Sequence, residues 1–372
     1  MKVALLVFPL HYSHGCLLQT YALYSKLKDL GCEVTILDRQ PNSESFIVIF
    51  KCLFKRIAKR VLRGYRGPIF YKGYFPITIM REQQSFIDRF RSNVVSVFST
   101  KELRSIIVHK KYDAIVVGSD QTWRPRNVPN VMDYWLEFAS DLPIVKIAYA
   151  PSFGVDIWEY TKEQTEKCRE LSKLFKGISV REKSGVKLCY DNLGIETLHV
   201  LDPTMLWTKS FYAPIAEKHP LPKGEVNCYF LDKDEKKDLI ANNIAKVLGQ
   251  SVSQINTRTE DPNAPISERI APSIEKWLAG FYYGEFIVVD SFHAMVFSII
   301  FEKPFVVIGN KQRGLARFES LLGELGLLNR LIFDNEPNLN KIIESPIDWM
   351  FVRSKLEIRR NDSLNFLLQH LY

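Results

Sequence analysis

The chain has 372 residues, of which 46% are apolar, and a formal net charge of +8. This length is comfortable for two domains with a core that needs no staples. The positive balance favours anionic partners, whether nucleic acid, an acidic membrane or a phosphorylated substrate. Six cysteines include no CxxC pair, which argues against a zinc site and for free thiols in a reducing, cytoplasmic compartment.

The run Lys2-Val-Ala-Leu-Leu-Val-Phe8 reads as a buried first strand rather than a signal peptide, because Pro9 interrupts it and no small-residue cleavage site follows. A polar loop with Gly15 leads into a helical pattern over Leu17–Leu30, closed by Gly31. A second strand follows at Val34–Leu37. Strand, loop, helix, strand is the start of a parallel α/β sheet. The first loop holds a single glycine, so the dinucleotide fingerprint is missing and no NAD is inferred.

Residues 46–81 interrupt this alternation. Seven Lys or Arg lie between Lys51 and Arg66, with no Asp or Glu from Ser45 to Arg81. On a helical wheel the cations share one side, and Phe50, Leu53, Phe54 and Ile57 fall on the other. Two readings stay open: a basic amphipathic helix for an anionic membrane surface, or a surface helix with its apolar face on the core. No apolar stretch is long enough to span a bilayer.

Alternation then resumes with strands at Ala114–Val117, Ile144–Tyr149, Gly177–Val180 and Leu198–Leu201, and a helix capped by Thr161. A Pro-rich polar stretch over residues 213–225 is the expected linker. A second α/β unit, 226–345, follows. It has strands at Val226–Leu231, Phe286–Val289, Pro304–Ile308 and Leu331–Phe333, and helices including Asp234–Leu248 and Ile274–Tyr283. Residues 346–372 are left as a C-terminal helix. The expected architecture is α/β: two Rossmann-like domains, 1–212 and 226–345, facing across a cleft. In such sheets ligands bind beyond the carboxyl ends of the strands.

Polar clusters sit at those ends: Gly118-Ser-Asp-Gln121, Ser152-Phe-Gly154, Arg181-Glu-Lys-Ser-Gly185, Asp290-Ser-Phe-His293, and Asn310-Lys-Gln-Arg313 with Arg317. Carboxylates, hydroxyls, an imidazole and cations together suit a phosphorylated or carboxylated substrate and proton transfer. Each cluster also has a structural alternative. Asp120 could cap a helix, Arg181 and Glu182 could form an ion pair, His293 could be a bonded core residue, and Arg313 and Arg317 could be solvated charges. No metal-ligand spacing appears, and no metal or cofactor is expected.

The ordered set Gly118-Ser-Asp-Gln-x-Trp123, Tyr149-Ala-Pro-Ser-Phe-Gly154, Ser179-Val-Arg-Glu-Lys-Ser-Gly185, Asp202-Pro-Thr204 and Asp290-Ser-Phe-His-Ala-Met-Val-Phe-Ser298 resembles the polysaccharide pyruvyl transferase family. The early Gly15-Cys-Leu-Leu-Gln-Thr-Tyr-Ala-Leu23 fits its N-terminal pattern. The resemblance implies a GT-B-like arrangement, phosphoenolpyruvate as co-substrate and donor, and a sugar acceptor of a capsular or exopolysaccharide precursor. That acceptor is possible on a polyprenyl diphosphate carrier, with the enzyme peripheral at the inner membrane face and no nucleic acid as partner. Many members carry a cation two residues before the matching histidine, where this chain has Ser291.

For that reaction His293 is assigned as general acid/base or phosphate ligand, Arg181 as holder of the donor's charged groups, and Asp120 as the group that orients or deprotonates the acceptor. Ser291, Ser152, Arg313 and Arg317 are assigned to the donor, and Gly15, Gln19 and Gln121 to the acceptor. The rival readings are a nucleotide-sugar glycosyltransferase of the same plan and a non-catalytic assembly scaffold.

Overall fold

A computed structural model describes the whole chain except residues 12, 42–77, 233, 260, 262–263, 311–313 and 334–335. The basic stretch 46–66 and Arg313 therefore lie outside the described residues.

The chain builds two parallel sheets. The first contains β1 (Lys2–Val7), β2 (Glu33–Arg39), β3 (Val94–Val97), β4 (Ala114–Val117), β5 (Val145–Ala148), β6 (Gly177–Val180) and β7 (Leu198–His199), in the order β3-β2-β1-β4-β5-β6-β7. The second contains β8 (Glu225–Tyr229), β9 (Ser251–Gln254), β10 (Phe286–Val289), β11 (Phe305–Ile308) and β12 (Leu331–Ile332), in the order β12-β11-β10-β8-β9. Central strands such as β4 and β10 are buried along their whole length, as expected for a parallel sheet covered on both faces. Leu5 of β1 lies beside Ile36 of β2 and Val116 of β4. The strand order reverses between β1 and β4 in the first sheet, and between β8 and β10 in the second. Loops that follow strands at such reversals diverge and leave room for a ligand.

Some elements were not visible in the sequence pattern. β3 and β9 are sheet-edge strands, only partly buried, with no continuous apolar run. Helix Thr100–Lys110 buries only Leu103 and Ile107, and starts where the Ser99 side chain accepts from Glu102 N. Helix Lys183–Leu193 begins inside the polar cluster Arg181-Glu-Lys-Ser-Gly185, where no helix was expected. The expected linker also differs at its start. Residues 213–216 complete helix Lys209–Ala216, which runs through Pro214. Pro214 forgoes one helix hydrogen bond, and packing of Tyr212 edge-on to Phe297 at 5.0 Å holds the segment in place.

One core joins the two sheets. Leu17, Tyr212, Trp277 and Phe297 belong to a single buried cluster. His14, first residue of helix His14–Asp29, stacks on Trp277 with ring centroids 5.3 Å apart, and its Nε2 donates to the Pro272 carbonyl at 2.7 Å. Helix Trp349–Leu371 returns to the first sheet. Leu201 N donates to Ser363 Oγ at 3.0 Å, and Arg360 Nε donates to the Met205 carbonyl at 2.7 Å.

Candidate active site at the carboxyl ends of the two sheets

The loops after β4, β5, β6 and β7 meet the start of helix His14–Asp29 and the loop after β10. Arg181, just after β6, is the centre of this cluster and is 4% exposed. Its Nη1 donates to Asp202 Oδ2 and to Gln19 Oε1, each at 2.8 Å. Its Nη2 lies 3.5 Å from Asp120 Oδ1. Burial lowers the Arg181 pKa, but Asp202, Asp120 and Glu182 more than offset this and hold it above its ordinary value. Asp202 is affected in the opposite sense. Burial raises it, yet His293 and Arg181, with Thr204, keep it well below the usual carboxylate range.

Partners are incomplete here. Arg181 Nε and Nη2, Gln19 Nε2, His293 Nε2 and Arg317 Nε are all buried without a hydrogen-bond partner. Such unmet donors are costly in a finished core, each by about 1–3 kcal/mol. Arg317 comes from helix Ala316–Glu324 in the second unit. Both guanidinium groups lie over the Phe292 ring, whose centroid is 5.0 Å from Arg181 Cζ and 5.4 Å from Arg317 Cζ. Burial, then the charge of Arg181, brings the Arg317 pKa down to about 10. Among the described residues Arg317 has no carboxylate within ion-pair distance. A set of buried donors that includes two guanidinium groups has the chemistry to take an anion.

The surrounding backbone is held in an uncommon form. Asp120 has φ +85° and Ala150 has φ +55°, at the ends of neighbouring strands. Asp120 does not cap a helix; its Oδ1 accepts from Gln121 N at 2.8 Å, and its carbonyl accepts from Ser152 N at 2.7 Å. Left-handed backbone at non-glycine residues costs about 1–3 kcal/mol and gathers at functional sites.

The model of the polysaccharide pyruvyl transferase family matches residues 14–312. The chain belongs to that family. Among solved structures, the UDP-GlcNAc 2-epimerase of Methanocaldococcus jannaschii aligns at 14% identity over 98% of this chain and 100% of its own, with a TM-score of 0.53. MurG of Acinetobacter baumannii aligns at 13% identity over 97% of this chain and 95% of its own, with a TM-score of 0.44. At this identity the first likeness shows the fold alone, a GT-B-like pair of Rossmann-like units. No curated protein matches the sequence.

In this pyruvyl transferase family member the matched span holds Gly15, Gln19, Asp120, Arg181, Asp202 and His293, all of which the fold brings together. Other expected residues have different surroundings. The Ser152 hydroxyl donates to Glu182 Oε1 at 3.0 Å and accepts from Gly154 N at 3.0 Å, so its hydrogen bonds are internal to the loop. Gln121 Oε1 accepts from Asn127 Nδ2 at 2.7 Å and from Arg124 Nη1 at 3.1 Å. Ser291 precedes helix Phe292–Ile300 without capping it, and its hydroxyl bonds to no described residue. Glu182 does not pair with Arg181; its Oε1 accepts from Phe153 N at 2.8 Å and so fixes the loop after β5. Asp290 is also structural, accepting from Leu231 N at 2.7 Å and from Lys237 Nζ at 2.7 Å.

Three contributors escaped the sequence reading. Asp202 was visible only as part of an Asp-Pro-Thr motif. Glu182 looked like an ion-pair partner because it adjoins Arg181. Phe292 stood inside the cluster Asp290-Ser-Phe-His293 without a role, and nothing local marks a ring that two distant arginines approach. Among the described residues no group of three or more His, Cys, Asp or Glu could hold a metal ion. Among the described residues no helix is long and apolar enough to cross a membrane.

Proposed function

We propose that this protein transfers a pyruvyl group from phosphoenolpyruvate to a sugar of a surface-polysaccharide precursor, forming a pyruvate ketal. One observation supports the donor half most: Gln19, Arg181 and Arg317 present buried donors without partners in one cluster. Phosphoenolpyruvate carries a carboxylate and a phosphate, the groups such donors take.

The transfer has a fixed balance. C3 of the donor gains a proton, and an acceptor hydroxyl adds to C2 and loses its own. Inorganic phosphate then leaves C2, and a second hydroxyl closes the ketal and gives up a proton. His293 exchanges protons with the donor, Arg181 holds its carboxylate, and Arg317 holds its phosphate in place of a cation at position 291. Asp120 takes the acceptor proton, on the side lined by Gly15 and Gln19. Charge positioned before reaction, in a site largely closed to water, is what stabilises the transition state. A carrier-linked acceptor at the inner membrane face fits the basic stretch 46–66.

The test is incubation with phosphoenolpyruvate and candidate acceptor sugars. Mass spectrometry should find the ketal and a matching release of phosphate. Failure to bind phosphoenolpyruvate, with a thermal shift from UDP- or CMP-sugars instead, would turn the reading to a glycosyltransferase.

A further inference from the structure

Asp202 belongs to a motif that has no role in the chemistry above. It follows β7, is 3% exposed, and uses its two oxygens differently. Oδ1 accepts from the Thr204 amide at 3.0 Å and from the Thr204 hydroxyl at 2.6 Å. Pro203 opens the short 3-10 turn Pro203–Leu206 that makes this possible. The carboxylate is thereby fixed in rotation. Oδ2 is aimed away from the turn, with Arg181 Nη1 at 2.8 Å and His293 Nε2 at 3.5 Å.

The first contact is a short charge-assisted bond. The second exceeds ordinary hydrogen-bond length, as site contacts often do before a ligand binds. Nε2 is shut off from solvent and has no other partner. Nδ1 lies beside Gly15, makes no hydrogen bond to a described residue, and is not enclosed in the same way. Of the two nitrogens of a neutral imidazole, one carries the proton, and a facing carboxylate selects which.

We propose that Asp202 is a positioning residue that keeps the proton on His293 Nε2 and so leaves Nδ1 as the nitrogen that exchanges a proton with the bound substrate. Only the word substrate rests on the pyruvyl transfer reading; the placement of the proton does not. Asp202 comes from the first sheet and His293 from the second, so the pair exists only while the two sheets keep this spacing. The same oxygen serves Arg181, which ties the holder of the donor to the group that exchanges protons. Asp120 and Arg317 complete the charged surroundings through Arg181 and Phe292.

If Asp202 were only the counter-ion of Arg181, the His293 ring proton would not depend on it. The full chain labelled with 15N-histidine separates the two by NMR. The expected spectrum has one ring proton on His293 Nε2 that exchanges slowly with water. It is absent in His293→Gln and lost in Asp202→Ala. A protected proton on Nδ1, none in the wild type, or one that persists in Asp202→Ala overturns the proposal. Should Asp202→Ala not fold, Asp202→Asn keeps the size of the side chain and removes the charge that selects the ring proton. Loss of the protected proton there supports the proposal, and unchanged protection overturns it. The measurement needs neither phosphoenolpyruvate nor acceptor, so its failure is distinct from a failed transfer assay.

Discussion

His293 fills the space that a side chain on Gly15 would need: a methyl group there would lie 2.2 Å from His293 Nδ1 and 2.4 Å from Cγ. The two residues come from different units, and side-chain contacts that close do not occur in packed proteins. Gly15→Ala therefore forces the imidazole away from Asp202 or the first helix away from the second sheet. Phosphate release from phosphoenolpyruvate should fall by roughly 10²–10⁴, the range for a lost acid–base group. Wild-type turnover in this variant would mean that the position of His293 does not matter to the reaction.

Arg317 should behave as a ligand group and not as a structural one. It lacks an ion pair among the described residues, so Arg317→Gln should leave the unfolding midpoint of the free protein nearly unchanged. The loss of one charge-assisted contact to phosphate should weaken phosphoenolpyruvate binding by about 10–100-fold, from about 1.5–3 kcal/mol. Calorimetric titration checks this, and equal affinity in variant and wild type would remove Arg317 from the donor site.

Arg181 should do both. Its side chain is 1% exposed, as is that of Asp202. Removing one member of a buried ion pair strands the other, at a cost of about 3–5 kcal/mol. Arg181→Met should lower the urea midpoint by a corresponding amount and abolish phosphoenolpyruvate binding. A stable variant that also binds the donor normally would contradict both expectations.

Two histidines set a pH dependence. Burial brings the His14 pKa down to about 4, against its bond to Pro272. Burial, then the charge of Arg359, does the same for His199, also to about 4. An unfolded histidine titrates near 6.5. Between pH 6.5 and pH 4 the unfolded chain therefore binds protons that the folded chain does not, and stability falls as pH is lowered through this window. The slope is at most about 1.4 kcal/mol per pH unit for each histidine. Urea unfolding at pH 7 and pH 5 should show this loss, and His199→Gln should shrink the difference. An undiminished difference would place the acid sensitivity elsewhere.

Membrane association rests on sequence alone. Each cation near an anionic surface is worth about 1 kcal/mol, and salt screens exposed charge within about 10 Å at 0.1 M. Binding to anionic but not neutral vesicles is expected, weakened by salt and by Lys/Arg→Gln changes between Lys51 and Arg66. Equal binding to both vesicle types, or none to either, would refute a membrane role and leave the transferase reading intact.

The strands were legible where burial on both faces writes an unbroken apolar run. Ala114–Val117 and Phe286–Val289 were read without error for that reason. Edge strands such as Ser251–Gln254 carry no such run. Strand-end placement picked out Arg181, Asp120 and His293, which the fold brings into one cluster. It could not assign partners, because these depend on the spacing of two sheets. Glu182 shows the limit: it adjoins Arg181 in sequence, yet its carboxylate turns to the loop at Phe153 and Gly154. Ser152 shows another, since a hydroxyl in a strand-end loop looks the same whether it faces a ligand or closes the loop.

Helix Trp349–Leu371 carries a mechanical consequence. The chain leaves the first unit before Glu225 and comes back to it along this helix, where Tyr372 OH donates to the Leu30 carbonyl at 2.8 Å. The second unit thus hangs from two tethers. Parting the units would have to disturb both crossings at once, together with the core they share.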